Sequence, residues 1–194
     1  MRVTKLVGAV EVAADTRILK LLLVLLISNI ANAQMSSSQI FEQLKLQKGK
    51  WNFVKDAQQG ACFMGDDSRI AIEFKLIGDE TTIQENLMPD SDFAMVTMYH
   101  LEDMNDKDII ATHYCKKQNQ PAFRADLKNS TPNRLIFKCD ATRSKLCTSK
   151  EPRKGSYVDS IVHQMGSDGV LTIHYLGRGS KIDAKGYTRC KFMR

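Results

Sequence analysis

From about residue 49 onward, apolar and polar positions alternate in short runs with a period of two. SRIAIEFKLI, Ser68 to Ile77, is the clearest run. It places Ile70, Ile72, Phe74 and Leu76 on one face and Glu73 and Lys75 on the other, as a half-buried strand requires. Gly78-Asp79 ends it, and TTIQENLM reads as its partner across a tight turn. FAMVTMYHL is apolar on both faces, and the polar EDMNDKD leads into IIATHYC. PAFRADL follows Asn119-Gln120-Pro121. RLIFKCD alternates again, with Leu135, Phe137 and Cys139 opposed to Arg134, Lys138 and Asp140. SYVDSIVHQM and VLTIHYL flank Gly166-Ser167-Asp168-Gly169, a hairpin signal, and YTRCKF closes the chain. With GKWNFVKD as the opening strand, about ten short strands follow one another. That pattern predicts an all-β fold, a single antiparallel barrel or sandwich.

Helical spacing occurs only ahead of these strands. Ile40, Phe41, Leu44 and Leu46 predict one short N-terminal helix. Before it, ILKLLLVLLISNI, residues 18–30, forms an apolar run broken near its start by Lys20, preceded by Arg2, Lys5 and Arg17 and followed by Ala31-Asn32-Ala33. A basic leader, an apolar stretch and a small-x-small site are the parts of a secretory signal peptide, assigned to 1–33. The run is short of the roughly 20 apolar residues that a spanning helix wants. Residues 34–194 then form one domain, expected in the periplasm or outside the cell.

The formal charge of +6 is spread along the chain, with no basic patch interleaved with stacking aromatics, so nucleic acid is not an expected partner. Residues 141–155 hold Arg143, Lys145, Lys150, Arg153 and Lys154 against Glu151 alone. A solvated loop is the simpler reading, and a peripheral contact with an anionic membrane is the alternative. The oligomeric state is not legible. The five cysteines suit an oxidising compartment and include no Cys-x-x-Cys pair, which argues for disulfides over a metal site. An odd number leaves one thiol over.

Gly49-Lys50-Trp51, at the head of the first strand, resembles the Gly-x-Trp signature of lipocalin and wider calycin-type barrels. The resemblance implies that Trp51 closes one end of the barrel and that a basic residue of the last strand, Arg189 or else Arg178, packs on its ring. Met95 to Pro121, with its Thr-His-Tyr-Cys and Asn-Gln-Pro, resembles a family of exported bacterial lipocalin-like proteins. That likeness implies a fold of eight to ten strands and no established substrate or reaction. First and last strands are neighbours in a closed barrel, so Cys62 is expected to bond Cys190. Cys139 and Cys147 would close a short loop, leaving Cys115 free.

The stretch THYCKKQNQP concentrates the candidate chemistry. His113 and Cys115 share one strand face with Ile109 and Ala111, and Tyr114 points the other way. If the first face is the interior, imidazole and thiol enter near a rim, with Asn119 and Gln120 in the turn. The ligand-binding candidates are therefore His113, Tyr114, Cys115, Asn119 and Gln120, with Phe74, Leu76, Met98 and Phe137 as apolar wall. The same residues read equally well as a strand end and turn with a core histidine. Haem is a candidate ligand. His163 and His174 compete with His113 to hold it, and a two-residue turn at Ser167-Asp168 would put both on one face of their hairpin. No metal site and no catalytic residues are assigned. The expectation is a non-enzymatic barrel that binds a small, largely apolar molecule in its interior. A packed envelope or secreted interaction protein is the alternative, and a thiol enzyme using Cys115 comes third.

Overall fold

The computed structural model describes residues 34–54, 70–102, 108–115, 118–148, 157–177 and 188–194, without the side chains at 188 and 189. Helix α1 spans Ser37–Lys45 and is followed by ten strands: β1 (Gly49–Phe53), β2 (Ile72–Ile77), β3 (Thr82–Leu87), β4 (Met95–Leu101), β5 (Ile109–Tyr114), β6 (Ala122–Ala125), β7 (Arg134–Cys139), β8 (Val158–Met165), β9 (Leu171–Gly177) and β10 (Thr188–Met193). Each strand pairs antiparallel with its neighbours, and β1 pairs with β10, so the sheet closes into one barrel. The all-β barrel with a short N-terminal helix is the architecture the alternation predicts.

Period-two patterning decides what faces inward. Phe74, Phe123, Phe137 and Phe192 are fully buried in the interior, joined by Ile72, Ile83, Leu135, Ile161 and Ile173. A smaller apolar row, Ile136, Val162 and Leu176, lies on the opposite face of β7 to β9. Met98 alternates with the buried Thr97 and Tyr99 and therefore points outward, so it is not part of the interior wall.

Helix α1 opens on a capping box. The Ser36 hydroxyl accepts from the Gln39 backbone N–H, and the Gln39 side chain accepts from that of Ser36. Ile40, Phe41 and Leu44 turn into the core, whereas Leu46, expected on the same face, is 66% exposed just past the last turn. The helix packs on β4 and β5 at the end of the barrel where β1 begins. There Trp51 is buried and its indole N–H donates to the Gln47 carbonyl at 2.8 Å. The Arg194 guanidinium stands over its ring, 4.6 Å from the centroid; the side chain of the expected Arg189 lies outside the described residues, as does Arg178. Arg194 also donates to the carbonyls of Leu46 and Lys48, tying the last residue to the helix end.

The hairpin joining β8 and β9 departs from the expected register. Gly169 has φ 78°, and the Gly166 N–H donates to the Val170 carbonyl one step inside the Met165–Leu171 pair, so three residues, 167–169, form the loop instead of two. The shift of one residue moves every facing pair. His163 stands opposite Ile173 in the interior, and His174 stands opposite Val162 on the outer face. The two histidines therefore cannot share a ligand.

Cys139 and Cys147 form a disulfide with their Cα atoms 5.5 Å apart, and Cys115 is free. Cys190 is disulfide-bonded, and Cys62, its expected partner, lies outside the described residues. The expected signal segment, 1–33, lies outside them as well.

Candidate functional site: a buried carboxylate and its hydroxyl shell

Among the described residues the interior carries one ionisable cluster, and its centre is Glu85. Strand β3 alternates Ile83, Glu85 and Leu87 inward, so the carboxylate occupies a core position and is fully buried. Strand register places Glu85 beside Thr97, and Thr97 beside His113, in one row across β3, β4 and β5. Tyr99 is the next inward residue on β4. Tyr175 from β9 and His163 from β8 reach the same carboxylate from the other side of the barrel.

The contacts are short. Tyr175 donates to Glu85 Oε1 and Tyr99 to Oε2, both at 2.6 Å, and Thr97 donates to Oε1 at 3.3 Å. His163 Nε2 lies 3.4 Å from Oε2 and 3.0 Å from the Tyr99 hydroxyl. His163 Nδ1 is 2.8 Å from Gln47 Oε1, just beyond helix α1. Thr97 Oγ1 is 3.0 Å from His113 Nδ1. The rings of Phe74, Phe137 and Tyr99 stand edge-on around His163.

Counting protons fixes the histidines. Each hydroxyl owns a single hydrogen, and those of Tyr99 and Thr97 are spent on Glu85. The Tyr99 oxygen must then accept from His163 Nε2–H, while His163 Nδ1–H donates to the Gln47 oxygen. On this count both nitrogens of His163 are engaged, Nε2 with Tyr99 and Glu85 and Nδ1 with Gln47. By the same count the Thr97 oxygen accepts from His113 Nδ1–H.

Electrostatics agree with that count. Burial pushes the Glu85 carboxyl up, but the hydrogen bond and charge of His163, with the phenol bonds of Tyr175 and Tyr99, outweigh it and hold the pKa below 4.5. Burial and the Glu85 charge hold both phenols well above 10.0, so they remain donors. Burial lowers His113 below 6.5 against a smaller opposing pull from Glu85. His113 is thus neutral, with its proton on Nδ1. Its Nε2 is a lone pair, buried and without a hydrogen-bond partner.

The predicted site residues separate around this centre. His113 is in the interior, 1% exposed. Tyr114 faces out and is 45% exposed, Cys115 and Asn119 are half-buried, and Gln120 is exposed. The Asn119 side-chain oxygen is buried and also lacks a partner. The turn is held by the backbone: Cys115 N–H donates to the Asn119 carbonyl, His113 N–H to the Pro121 carbonyl, and Gln118 adopts φ 59°. THYCKKQNQP is therefore a strand end and turn that contributes one side chain to the interior cluster. Neither nitrogen of His113 bonds the Cys115 thiol, so the pairing that a thiol enzyme would use is not formed. No group of three or more metal-ligating side chains occurs among the described residues.

Glu85, Thr97, Tyr99 and Tyr175 are absent from the sequence expectations. The signal is present in TTIQENL: Thr82, Gln84 and Asn86 fill the outer face, which forces Glu85 between Ile83 and Leu87. At the basic loop, Arg143 is ion-paired with Glu102 and Asp140 and is not free for a membrane, while residues 149–155 lie outside the described ones. Scans of protein-family models, curated proteins and solved structures found no match to this chain.

Proposed function

We propose that this chain is an exported, non-enzymatic binding protein that takes one small, largely apolar molecule into the barrel, with His113 as its polar anchor. The observation that carries the reading is the His113 Nε2 lone pair, held in one tautomer by Thr97 and left unmet in the interior. A buried polar atom without a partner costs about 1–3 kcal/mol, and a ligand that meets it recovers that cost. Placement supports the same reading. His113 is the last inward residue of β5 before the end where the longest connections, 54–71, 140–157 and 178–187, join their strands. The opposite end is covered by α1, Trp51 and Arg194. The apolar run and small-x-small site before residue 34 support export. Gly-x-Trp and Thr-His-Tyr-Cys support lipocalin-like kinship. Haem is the less favoured ligand, and His113 is the described interior histidine with a nitrogen to hold it, since both nitrogens of His163 are engaged and His174 is on the outer face.

A second reading has its own observation. Phe74, Tyr99, Phe123, Phe137 and Phe192 are all fully buried, as in a barrel packed shut whose outer surface does the work. Native mass spectrometry of protein isolated from its own host without denaturant separates the two. A bound mass, lost in His113→Phe, is the expected result. A bare mass that stays bare after exposure to lipids and haem decides for the packed barrel.

A further inference from the structure

We infer that the molecule meeting His113 is a neutral hydrogen-bond donor, an alcohol, phenol or N–H compound, and not a fatty-acid-like carboxylate. The inference rests on the interior-binding reading and adds the ligand's chemical class. With Nδ1–H committed to Thr97, His113 offers only an acceptor at Nε2. A carboxylate brought to that atom meets a lone pair, while a hydroxyl or N–H meets its complement. The neighbouring charge points the same way. Glu85 lies one hydroxyl away through Thr97, so a second anion there faces a like charge in a medium that screens it poorly. The other interior imidazole, His163, is already engaged by Glu85, Tyr99 and Gln47 and is not open to an anion. The inward side chains described around His113 add no lysine or arginine. Beyond Thr97 and Glu85 they are mainly aliphatic or aromatic, and the Tyr175 ring centre is 6.1 Å from that of the imidazole. Nε2 is itself closed off from solvent, so the donor must sit at a narrow end of the ligand that can displace what covers it.

Matched probes test the class. 1-Decanol, its methyl ether and decanoate form one set; 2-naphthol, 2-methoxynaphthalene and 2-naphthoate form another. Calorimetry at neutral pH should show at least one hydroxyl compound binding tenfold or more tighter than both its ether and its carboxylate. Nitrogen NMR of the unaltered protein should show the His113 Nε2 resonance moving upfield when that compound binds. In His113→Phe the hydroxyl compound should lose its advantage over the ether. Equal binding of hydroxyl and ether, tight binding of the carboxylate, or an unmoved Nε2 signal overturns the donor class while leaving interior binding intact. If none of the six compounds binds, the interior-binding reading itself fails.

Discussion

Glu85 stands where the alternation of β3 would place a third aliphatic side chain. A carboxylate there is tolerated because three hydroxyls and the paired His163 ring surround it. Removing one member of such a pair strands the other, at a cost of about 3–5 kcal/mol. Glu85→Gln should therefore lower stability by about that amount, read from urea unfolding. Acid should act through the same residues. Both Glu85 and His113 have folded pKa values below their ordinary 4.5 and 6.5. Each thus contributes stability that is fully present above its unfolded value and is lost as pH falls toward its folded one. Unfolding midpoints should begin to fall below about pH 6.5, where the unfolded chain takes up a proton that folded His113 refuses, and fall again below about pH 4.5 through Glu85. His100, less buried and held down by burial and by Arg143, adds a smaller share of the same sign. His113→Asn should flatten the upper part of that profile and leave the lower part in place.

At the scale of elements, the strands were legible because half-buried ladders impose a period of two, and nearly every expected run became a strand near its expected bounds. The hairpin at Gly166 to Gly169 was not, because loop length decides register and its composition suits two residues or three. That single residue moved His174 out of the interior. Glu85 and Thr97 were hidden for a different reason: alternation assigns a face, but a polar residue on the apolar face gains its partners only from strands distant in sequence. Gly169 should be sensitive in its own right. No atom lies within 4 Å of where a Cβ would be, so the penalty of Gly169→Ala comes only from its φ of +78°. That penalty is about 1–2 kcal/mol, and a shift of the urea midpoint measures it. The Cys139–Cys147 bridge spans a sequence separation of 8. Replacing both cysteines with serine should cost about 2–3 kcal/mol by the loop-entropy relation, measured on oxidised protein.

For the whole molecule, α1, Trp51 and Arg194 cover one end of the barrel, with Arg194 over the Trp51 ring. Arg194→Ala should cost about 0.5–1 kcal/mol for the lost ring contact, with a further loss from the bonds to Leu46 and Lys48, and should loosen α1 first. Slowed hydrogen exchange of the α1 amides in the unaltered protein, relative to this variant, would record it. Closure also has a consequence in time. Among the described strands, every ladder but one joins strands consecutive in sequence, and the exception pairs Asn52 with Met193. A chain emerging from the ribosome can build its meander strand by strand, but β1 keeps a row of unpaired amides and carbonyls until the final residues arrive. Any nascent or truncated form ending before β10 therefore presents two raw sheet edges, on β1 and β9, that invite pairing with another chain. Strand β10 covers both of those edges and completes the wall.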